Sequence, residues 1–151
     1  MIELYNEGYF MRQALLEAQK AYDKNEVPIG AVVVMNKQII ARAHNLTEQL
    51  TDVTAHAEIQ AITAAAQFLG AKYLKGCTMY CTIEPCKMCA GALYWSQIDK
   101  VVFGARDSNR GAGTVSPSLY HPSTLVVSGV LKEECSNVMK RFFEKKRKST
   151  I

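Results

Sequence analysis

Two short clusters of histidine, glutamate and cysteine constrain the fold of this chain more than any other feature. One cluster contains His56 and Glu58, and the other contains Cys86 and Cys89 directly after Pro85. One nitrogen and two sulfurs form a donor set that suits zinc, whereas magnesium and calcium prefer oxygen ligands. If both clusters serve one ion, the chain must fold so that these distant segments meet.

The number of ligands favours a catalytic ion over a structural one. His56, Cys86 and Cys89 would supply three ligands and leave the fourth position of a tetrahedral zinc site open, as catalytic sites require. Cys135 could close the site, but it lies on the apolar stripe of a predicted C-terminal helix, where burial is expected. We therefore predict one catalytic Zn²⁺ per chain.

The spacing within each cluster predicts different roles. Cys86 and Cys89 are three residues apart, so they lie on one face of the helix that Pro85 introduces. His56 and Glu58 are two residues apart and cannot share a helical face, so His56 is predicted to bind the metal and Glu58 to lie beside it. Zinc lowers the pKa of a bound water towards roughly 7, and a neighbouring carboxylate can take up the released proton. Glu58 is therefore the predicted catalytic residue.

Each of these features has an ordinary explanation when it is taken alone. A histidine is often buried in a core, a C-x-x-C pair can be a redox pair or half of a structural zinc site, and a glutamate is favoured in the first turn of a helix. The joint order H-x-E followed by P-C-x-x-C is, however, the known signature of zinc-dependent nucleobase deaminases. The chain resembles these enzymes at every residue of that signature.

Three longer runs resemble the bacterial tRNA adenosine deaminase family. They are residues 55–59 (AHAEI), 84–92 (EPCKMCAGA) and 101–107 (VVFGARD), and the likeness continues to the pair Phe142 and Phe143 before the basic tail. The resemblance implies a cytidine-deaminase-like fold, which is an α/β fold with three layers, α/β/α, around a five-stranded mixed sheet. It also implies a homodimer.

The same resemblance implies the reaction and its substrate. Zinc hydroxide would attack C6 of the wobble adenosine in a tRNA anticodon stem-loop, Glu58 would protonate the ring, and loss of ammonia would leave inosine. Asn45 stands at the position of the family's base-contacting asparagine, although alone it would be interpreted as a turn residue. Pro28 and Ile29 resemble a pocket-lining segment, and Ala57 completes the set of predicted substrate-binding residues.

Two other functions remain open on the sequence. Residues 91–95 (GALYW) also resemble guanine deaminases, and residues 108–111 and 116–120 depart from the commonest pattern of the tRNA enzymes. A deaminase of a free base, guanine or cytosine, with the same zinc chemistry is therefore the alternative. The third hypothesis is a zinc-stabilised RNA-binding module without catalysis, against which the intact Glu58 counts.

Length and charge limit the class of protein. The 151 residues predict a single domain, residues 1–151, and the net charge of +4 with a basic C-terminal helix favours an anionic partner such as RNA. A solvated helix end explains that charge equally well. Residues 1–10 carry Glu3 and Glu7 without a basic segment, so no signal peptide is expected, and no apolar run is long enough to cross a membrane.

The cysteines and one aromatic pair complete the site predictions. Five cysteines are an odd number, which favours a reducing compartment and hence the cytoplasm. Cys77 and Cys81 lie on one face of a predicted strand and are expected to be buried there. Tyr94 and Trp95 follow the cysteine pair on the same helix and are predicted to belong to the core or to a dimer surface.

Hydrophobic periodicity predicts alternating helices and strands. A helical pattern covers residues 11–22, and apolar runs at 29–35 and 38–43 are joined tightly enough to form an antiparallel hairpin. A helix over 57–69 is apolar nearly all round and is expected in the interior. The strands on either side of the cysteine helix are expected to be parallel. The remaining elements are a strand over 77–83, a helix over 87–95, a strand over 100–104, a loop over 105–124, a strand over 125–128 and a C-terminal helix.

Overall fold

The computed structural model describes residues 6–149, and residues 1–5, 150 and 151 lie outside the described part. Within residues 6–149 the chain forms four α-helices, one short 3-10 helix and five β-strands, and all predicted helices and strands are present. In chain order the elements are α1 (Glu7–Asp23), β1 (Gly30–Met35), β2 (Gln38–His44), α2 (Ala57–Leu69), β3 (Cys77–Ile83), α3 (Lys87–Ser96), β4 (Lys100–Ala105), the 3-10 helix (Ala112–Thr114), β5 (Leu125–Ser128) and α4 (Lys132–Ser149).

Local side-chain chemistry explains where the helices begin and end. α1 begins four residues before the predicted helix because the side chain of Asn6 accepts a hydrogen bond from the backbone N–H of Tyr9 at 2.8 Å. α2 ends, as predicted, at Gly70, which has a left-handed φ of 65°. No helix among residues 6–149 is both long and apolar enough to cross a membrane.

The strands form one mixed sheet in the order β2-β1-β3-β4-β5. β1 pairs with both β2 and β3 in antiparallel orientation, which confirms the predicted hairpin. β3 and β4 are parallel on either side of α3, as the crossover rule predicts, and β5 joins parallel to β4. Ile83 and Ala105 are paired neighbours, so the two parallel strands end at the same edge of the sheet. The segments that follow these two residues build the site.

Helices cover both faces of the sheet, which confirms the predicted three-layer α/β/α fold. On one face, Ala31 and Val33 of β1 belong to a core that includes Ala61 of α2 and Leu93 of α3. On the other face, Val32 of β1 belongs to a second core with residues of α1 and α4. Successive residues of β1 therefore serve opposite cores, which explains its continuous apolar run.

The three cysteines outside the predicted metal site are buried, as expected. Cys77 and Cys81 of β3 and Cys135 of α4 have no exposed surface. Cys135 packs against Gly104 of β4. A Cβ atom at Gly104 would lie only 2.4 Å from the Cys135 sulfur, so no side chain fits there. A glycine in β4 therefore allows α4 to approach the sheet closely.

The prediction that α2 lies in the interior is wrong. Its inner face is buried through Ala57, Ala61 and Ala65, but Thr63 is exposed and Phe68 is 68% exposed. The apolar pattern was misleading because small alanines occupy the inner face and a large aromatic side chain lies on the outer one. α2 is therefore a covering helix with an exposed aromatic residue.

Candidate active site

His56, Cys86 and Cys89 meet between the starts of α2 and α3. Nδ1 of His56 lies 3.6 Å from Sγ of Cys86 and 3.5 Å from Sγ of Cys89, and the donor atoms all lie within 4.8 Å of one another. Around a tetrahedral zinc ion with bonds of about 2.0 Å to nitrogen and about 2.3 Å to sulfur, such atoms would be about 3.6 Å apart. The donor set and its spacing therefore fit zinc. Residues 6–149 contain no second cluster of this kind.

The helix starts bring these side chains together. His56 is the residue before α2 and Cys86 is the residue before α3, and both have extended backbone conformations. Neither side chain makes the hydrogen bond that usually caps a helix. Cys89 follows in the first turn of α3 and is buried. Two helix N-termini therefore converge here, and their partial positive charge favours thiolates.

The pKa values of the two thiols shift in opposite directions. The Cys89 thiol donates a hydrogen bond to Cys86, and this bond together with the nearby His56 lowers the pKa of Cys86 to about 4. The same bond, with burial, raises the pKa of Cys89 above the usual range of a thiol. The hydrogen bond with Cys86 raises the pKa of His56. The lowered pKa favours the thiolate form of Cys86, which is the form that binds metal.

Glu58 lies beside this centre as the second residue of α2. Its side chain is 3% exposed, and burial raises its pKa to about 7, although the charge of His56 and a hydrogen bond with Cys89 oppose the rise. A carboxyl group with a pKa near the operating pH can both take and return a proton. The position and pKa of Glu58 therefore suit a proton carrier.

A cavity of about 860 Å³ connects this centre with the surface. His56, Glu58 and Cys86 line it together with residues from the loop before α2, the loop after β4 and one face of α4. Its volume lies within the usual range of sites that bind small molecules. A buried carboxyl group, three metal donors and space for a substrate therefore occur together.

Comparison with known proteins places this arrangement in a family. Residues 5–105 match the family model of the cytidine and deoxycytidylate deaminase zinc-binding region. A protein of Bacillus subtilis strain 168 named tRNA-specific adenosine deaminase is 49% identical over 144 residues, which cover 92% of this chain and 89% of that protein. The chain belongs to the tRNA-specific adenosine deaminase family.

Solved structures similar to this family member confirm the cytidine-deaminase-like fold. One comes from a study of A-to-I editing by tRNA:A34 deaminases at the wobble position of transfer RNA. It has a TM-score of 0.81 and 41% identity and covers 86% of this chain and 98% of that chain. Guanine deaminase from Bacillus subtilis has a TM-score of 0.66 and 37% identity and covers 69% of this chain and 67% of that chain.

Family membership identifies zinc as the cofactor of this chain. The matched zinc-binding region contains His56, Cys86 and Cys89, which are the side chains that the structure places together. The same region contains Glu58, which is too deeply buried beside them to be an ordinary surface acid. The predicted cofactor, one Zn²⁺ per chain, therefore agrees with both the family and the geometry.

Three of the four predicted substrate-binding residues line the cavity of this family member, namely Ile29, Asn45 and Ala57. Asn45 is 6% exposed. Its Nδ2 donates to the carbonyl O of Val27 at 3.3 Å, and its Oδ1 accepts the backbone N–H two residues later at 3.2 Å. Pro28 is buried and is not among the lining residues, whereas its neighbour Val27 is.

Two groups of residues that line the cavity were not among the predicted site residues. One group is residues 106–110 after β4, and the other is a face of α4 that includes Lys140, Phe143 and Arg147. Ligand sites in α/β proteins often lie beyond the carboxyl ends of parallel strands, which would have indicated the first group. The helical spacing of the α4 residues would have indicated the second.

Proposed function

We propose that this chain is a zinc-dependent hydrolytic deaminase that converts adenosine to inosine at the wobble position of a tRNA anticodon stem-loop. The observation that carries the proposal is the position of Glu58, which is buried beside His56, Cys86 and Cys89 at a cavity that reaches the surface. Family membership supports tRNA as the substrate.

The proposed reaction consumes one water molecule and releases ammonia. Zinc held by His56, Cys86 and Cys89 would make water nucleophilic near neutral pH. Glu58 takes a proton from the water on its carboxylate and passes it to a ring nitrogen of adenine as a C–O bond forms at C6. Glu58 then transfers the proton of the new C6 hydroxyl to the amino group, and the C6–N bond breaks as ammonia leaves. Adenosine and water thereby become inosine and ammonia without an organic cofactor.

The residues around Glu58 form a pocket that suits a nucleobase no longer stacked on its neighbours in the RNA. Ile29, Asn45 and Ala57 line the cavity beside the proton carrier, where they could hold the edge and the face of one base. A base must be unstacked before its edge can enter such a pocket. An anticodon loop already presents unpaired bases, so little energy is needed to bring one into the site.

Basic residues of the cavity favour RNA over a free base. Arg106 and Arg110 after β4 and Lys140 and Arg147 of α4 line the same cavity as the candidate metal ligands. Phe143, which is 41% exposed, also lines it. RNA phosphates can bind these cations, and a neighbouring base can stack on the aromatic ring. A neutral free base has no phosphate groups for these cations to neutralise.

Inosine formation in an unmodified tRNA with adenosine at the wobble position tests the proposal. Purified zinc-loaded protein would be incubated with this tRNA and, in parallel, with free guanine, cytosine and adenosine. We expect inosine at the wobble position alone, with kcat/KM falling as the salt concentration rises. Ammonia released from free guanine or cytosine, without inosine in the tRNA, would overturn the proposed substrate and retain the zinc chemistry.

We further infer that the active molecule is a homodimer. On the outer side of α3, Trp95 is 76% exposed, and Met88 and Tyr94 are each 38% exposed. Phe68 of α2 is a further exposed aromatic residue, and exposed apolar surfaces of this kind mark protein interfaces. Sedimentation should give about twice the chain mass of 16.8 kDa, and Trp95→Glu should give a monomer. A wild-type protein that sediments as a monomer would contradict the inference.

We also propose that the protein works in the cytoplasm. All five cysteines lie within the described residues, and none of them forms a disulfide. Two of them, Cys86 and Cys89, must stay reduced to bind zinc, which a reducing compartment ensures. Fractionation of the source cells should recover the protein and its zinc with the cytoplasmic fraction, and recovery from an oxidising compartment would contradict this location.

A further inference from the structure

Glu84 is a buried carboxylate that the proposed reaction does not use. It lies between β3 and Pro85 and is 6% exposed. Its Oε1 accepts the backbone N–H of Asp107 at 2.9 Å, and its Oε2 accepts the backbone N–H of Gly113 at 2.8 Å. Both donors belong to the segment that follows β4, Asp107 in its loop and Gly113 in the 3-10 helix. One side chain therefore ties both ends of the segment 107–113 to the end of β3.

The backbone of the same segment contacts the residues that lead to a candidate metal ligand. The N–H of Ala112 donates to the carbonyl O of Pro85 at 2.9 Å. Gly111 pairs with Cys86 in an isolated β-bridge. Three consecutive residues, from Glu84 to Cys86, therefore hold the loop through hydrogen bonds.

Two glycines leave space for the Glu84 carboxylate. A Cβ atom at Gly111 would lie 2.3 Å from Oε1 of Glu84 and 2.5 Å from the carbonyl O of Asp107. A Cβ atom at Gly113 would lie 2.7 Å from Oε2. Cβ atoms do not approach other atoms so closely, so a side chain at Gly111 would displace both the carboxylate and the backbone, and one at Gly113 would displace the carboxylate.

The loop that Glu84 holds contributes polar side chains to the cavity. Oδ1 of Asp107 accepts the backbone N–H groups of Asn109 and Arg110, both at 3.0 Å, which folds these residues into a turn. Ser108, Asn109 and Arg110 line the cavity that contains the candidate metal ligands. Because the turn begins at a residue bonded to Glu84, its position relative to the metal centre depends on that carboxylate.

The geometry points to Glu84 as a positioning residue that holds the segment 107–113 beside the metal centre so that this segment can bind the substrate. The inference rests on the proposed function for its activity readout. Glu84 does not contact the reacting atoms in this assignment. Its loss should therefore weaken substrate binding and leave zinc binding and the chemical step in place.

Glu84→Gln is the main test, because glutamine keeps the shape but replaces one acceptor oxygen with an N–H donor. That donor would face a backbone N–H, so one of the two hydrogen bonds is lost. We expect KM for the tRNA to rise about tenfold, as loss of a hydrogen bond to a charged group can cause. The value of kcat should change less than about threefold, and the zinc content should not change. The backbone amides of Asp107 and Gly113 should exchange their hydrogens about tenfold faster.

Two controls separate local from general effects. Glu26 is a matched carboxylate, 1% exposed, which accepts the backbone N–H groups of Glu48 and Gln49 at 3.0 and 2.7 Å. Glu26→Gln should accelerate exchange at these two amides and leave those of the segment 107–113 protected. Glu133→Gln removes the same charge from an exposed position outside the cavity and should leave KM, kcat and amide exchange unchanged.

A second variant keeps the inference testable if Glu84→Gln folds poorly. Gly113→Ala should displace the carboxylate and raise KM in the same way. In a double variant with Glu84→Ala, Gly113→Ala should raise KM little further. The carboxylate that the new methyl group would displace is already absent from Glu84→Ala. Additive effects would contradict the inference.

The outcomes distinguish this inference from the proposed function. Unchanged exchange at Asp107 and Gly113 with unchanged KM in Glu84→Gln would overturn the positioning role. Loss of zinc or of kcat at constant KM would also overturn it, since Glu84 would then support the metal centre. If the wild type does not deaminate tRNA, the proposed function fails, while amide exchange still decides whether Glu84 holds the loop.

Discussion

Nδ1 of His56 lies 3.5 Å from Sγ of Cys89, although 33 residues separate them in the chain. The contact forms because α2 and α3 cover the same face of the sheet and their N-termini meet. Each helix contributes donors that the other lacks, the imidazole from one and the thiols from the other. Zinc binding should therefore depend on both helix starts.

Cys86→Ser should lower the affinity for zinc by more than about 100-fold. Mutating a residue that only hydrogen-bonds to a metal ligand can already lower the affinity by about 100-fold, and loss of a ligand should cost more. A serine hydroxyl is a poor replacement for a thiolate because zinc prefers sulfur and nitrogen donors. Competition with a chromophoric chelator measures the affinity. Cys135→Ala removes a buried thiol of α4 and serves as the control, with wild-type affinity expected. Equal zinc affinity in Cys86→Ser and the wild type would remove Cys86 from the ligand set.

Asn45→Ala should raise KM for tRNA by about 5- to 30-fold and leave the zinc content unchanged. The side chain lines the cavity and is held by hydrogen bonds to Val27 and Thr47, so its amide is fixed in place for a base. Loss of one or two such hydrogen bonds is worth about 1–2 kcal/mol. Steady-state kinetics on the tRNA measures the change.

Asn137→Ala is the matched control for the Asn45 prediction. Asn137 is exposed on α4 and does not line the cavity, so its replacement should leave KM unchanged. A tRNA KM in Asn45→Ala equal to that of the control would show that Asn45 is a turn residue without a role in binding.

The raised pKa of Tyr80 should make the protein less stable at alkaline pH. Its ring packs against Phe10 with centroids 5.3 Å apart, and burial raises its pKa to about 12 from the ordinary value of about 10. Above pH 10 the unfolded chain loses this proton while the folded chain keeps it. Stability that is fully present below pH 10 should therefore be lost as the pH rises towards 12.

Tyr80→Phe is the control for the alkaline prediction, because phenylalanine keeps the ring and has no proton to lose. Urea unfolding at about pH 9 and about pH 11 gives the free energy of unfolding in each protein. The wild type should lose more stability than the variant over this interval. Equal losses would show that Tyr80 does not carry the pH dependence.

The candidate metal ligands could be predicted because the spacing between neighbouring residues in the sequence is enough to indicate them. The spacing of His56 and Glu58 predicts a metal ligand with a neighbouring proton carrier, and the spacing of Cys86 and Cys89 predicts two sulfurs in one helical turn. The order of strands could not be predicted in this way. Alternating apolar residues show that a strand is buried, but they do not identify its neighbour.

The parts of the site that were missed depend on contacts between distant segments. Arg106 and Lys140 line one cavity only because β4 and α4 pack together, which no local pattern reports. The need for glycine at positions 111 and 113 is clear only from the structure, because the Glu84 carboxylate occupies the space that their side chains would fill. The wrong prediction for α2 has the same origin, because an apolar outer face cannot be distinguished from an inner one without the neighbouring surface.

Glu58→Gln tests the central claim most directly, since glutamine keeps the shape of the side chain but cannot carry the proton. The zinc-loaded variant and the wild type would be compared in single-turnover inosine assays at saturating protein. We predict full zinc content, unchanged tRNA binding and inosine formation slower by about 10²–10⁴-fold, the usual contribution of a positioned proton carrier. Inosine formation at the wild-type rate would contradict the role of Glu58 and the mechanism built on it.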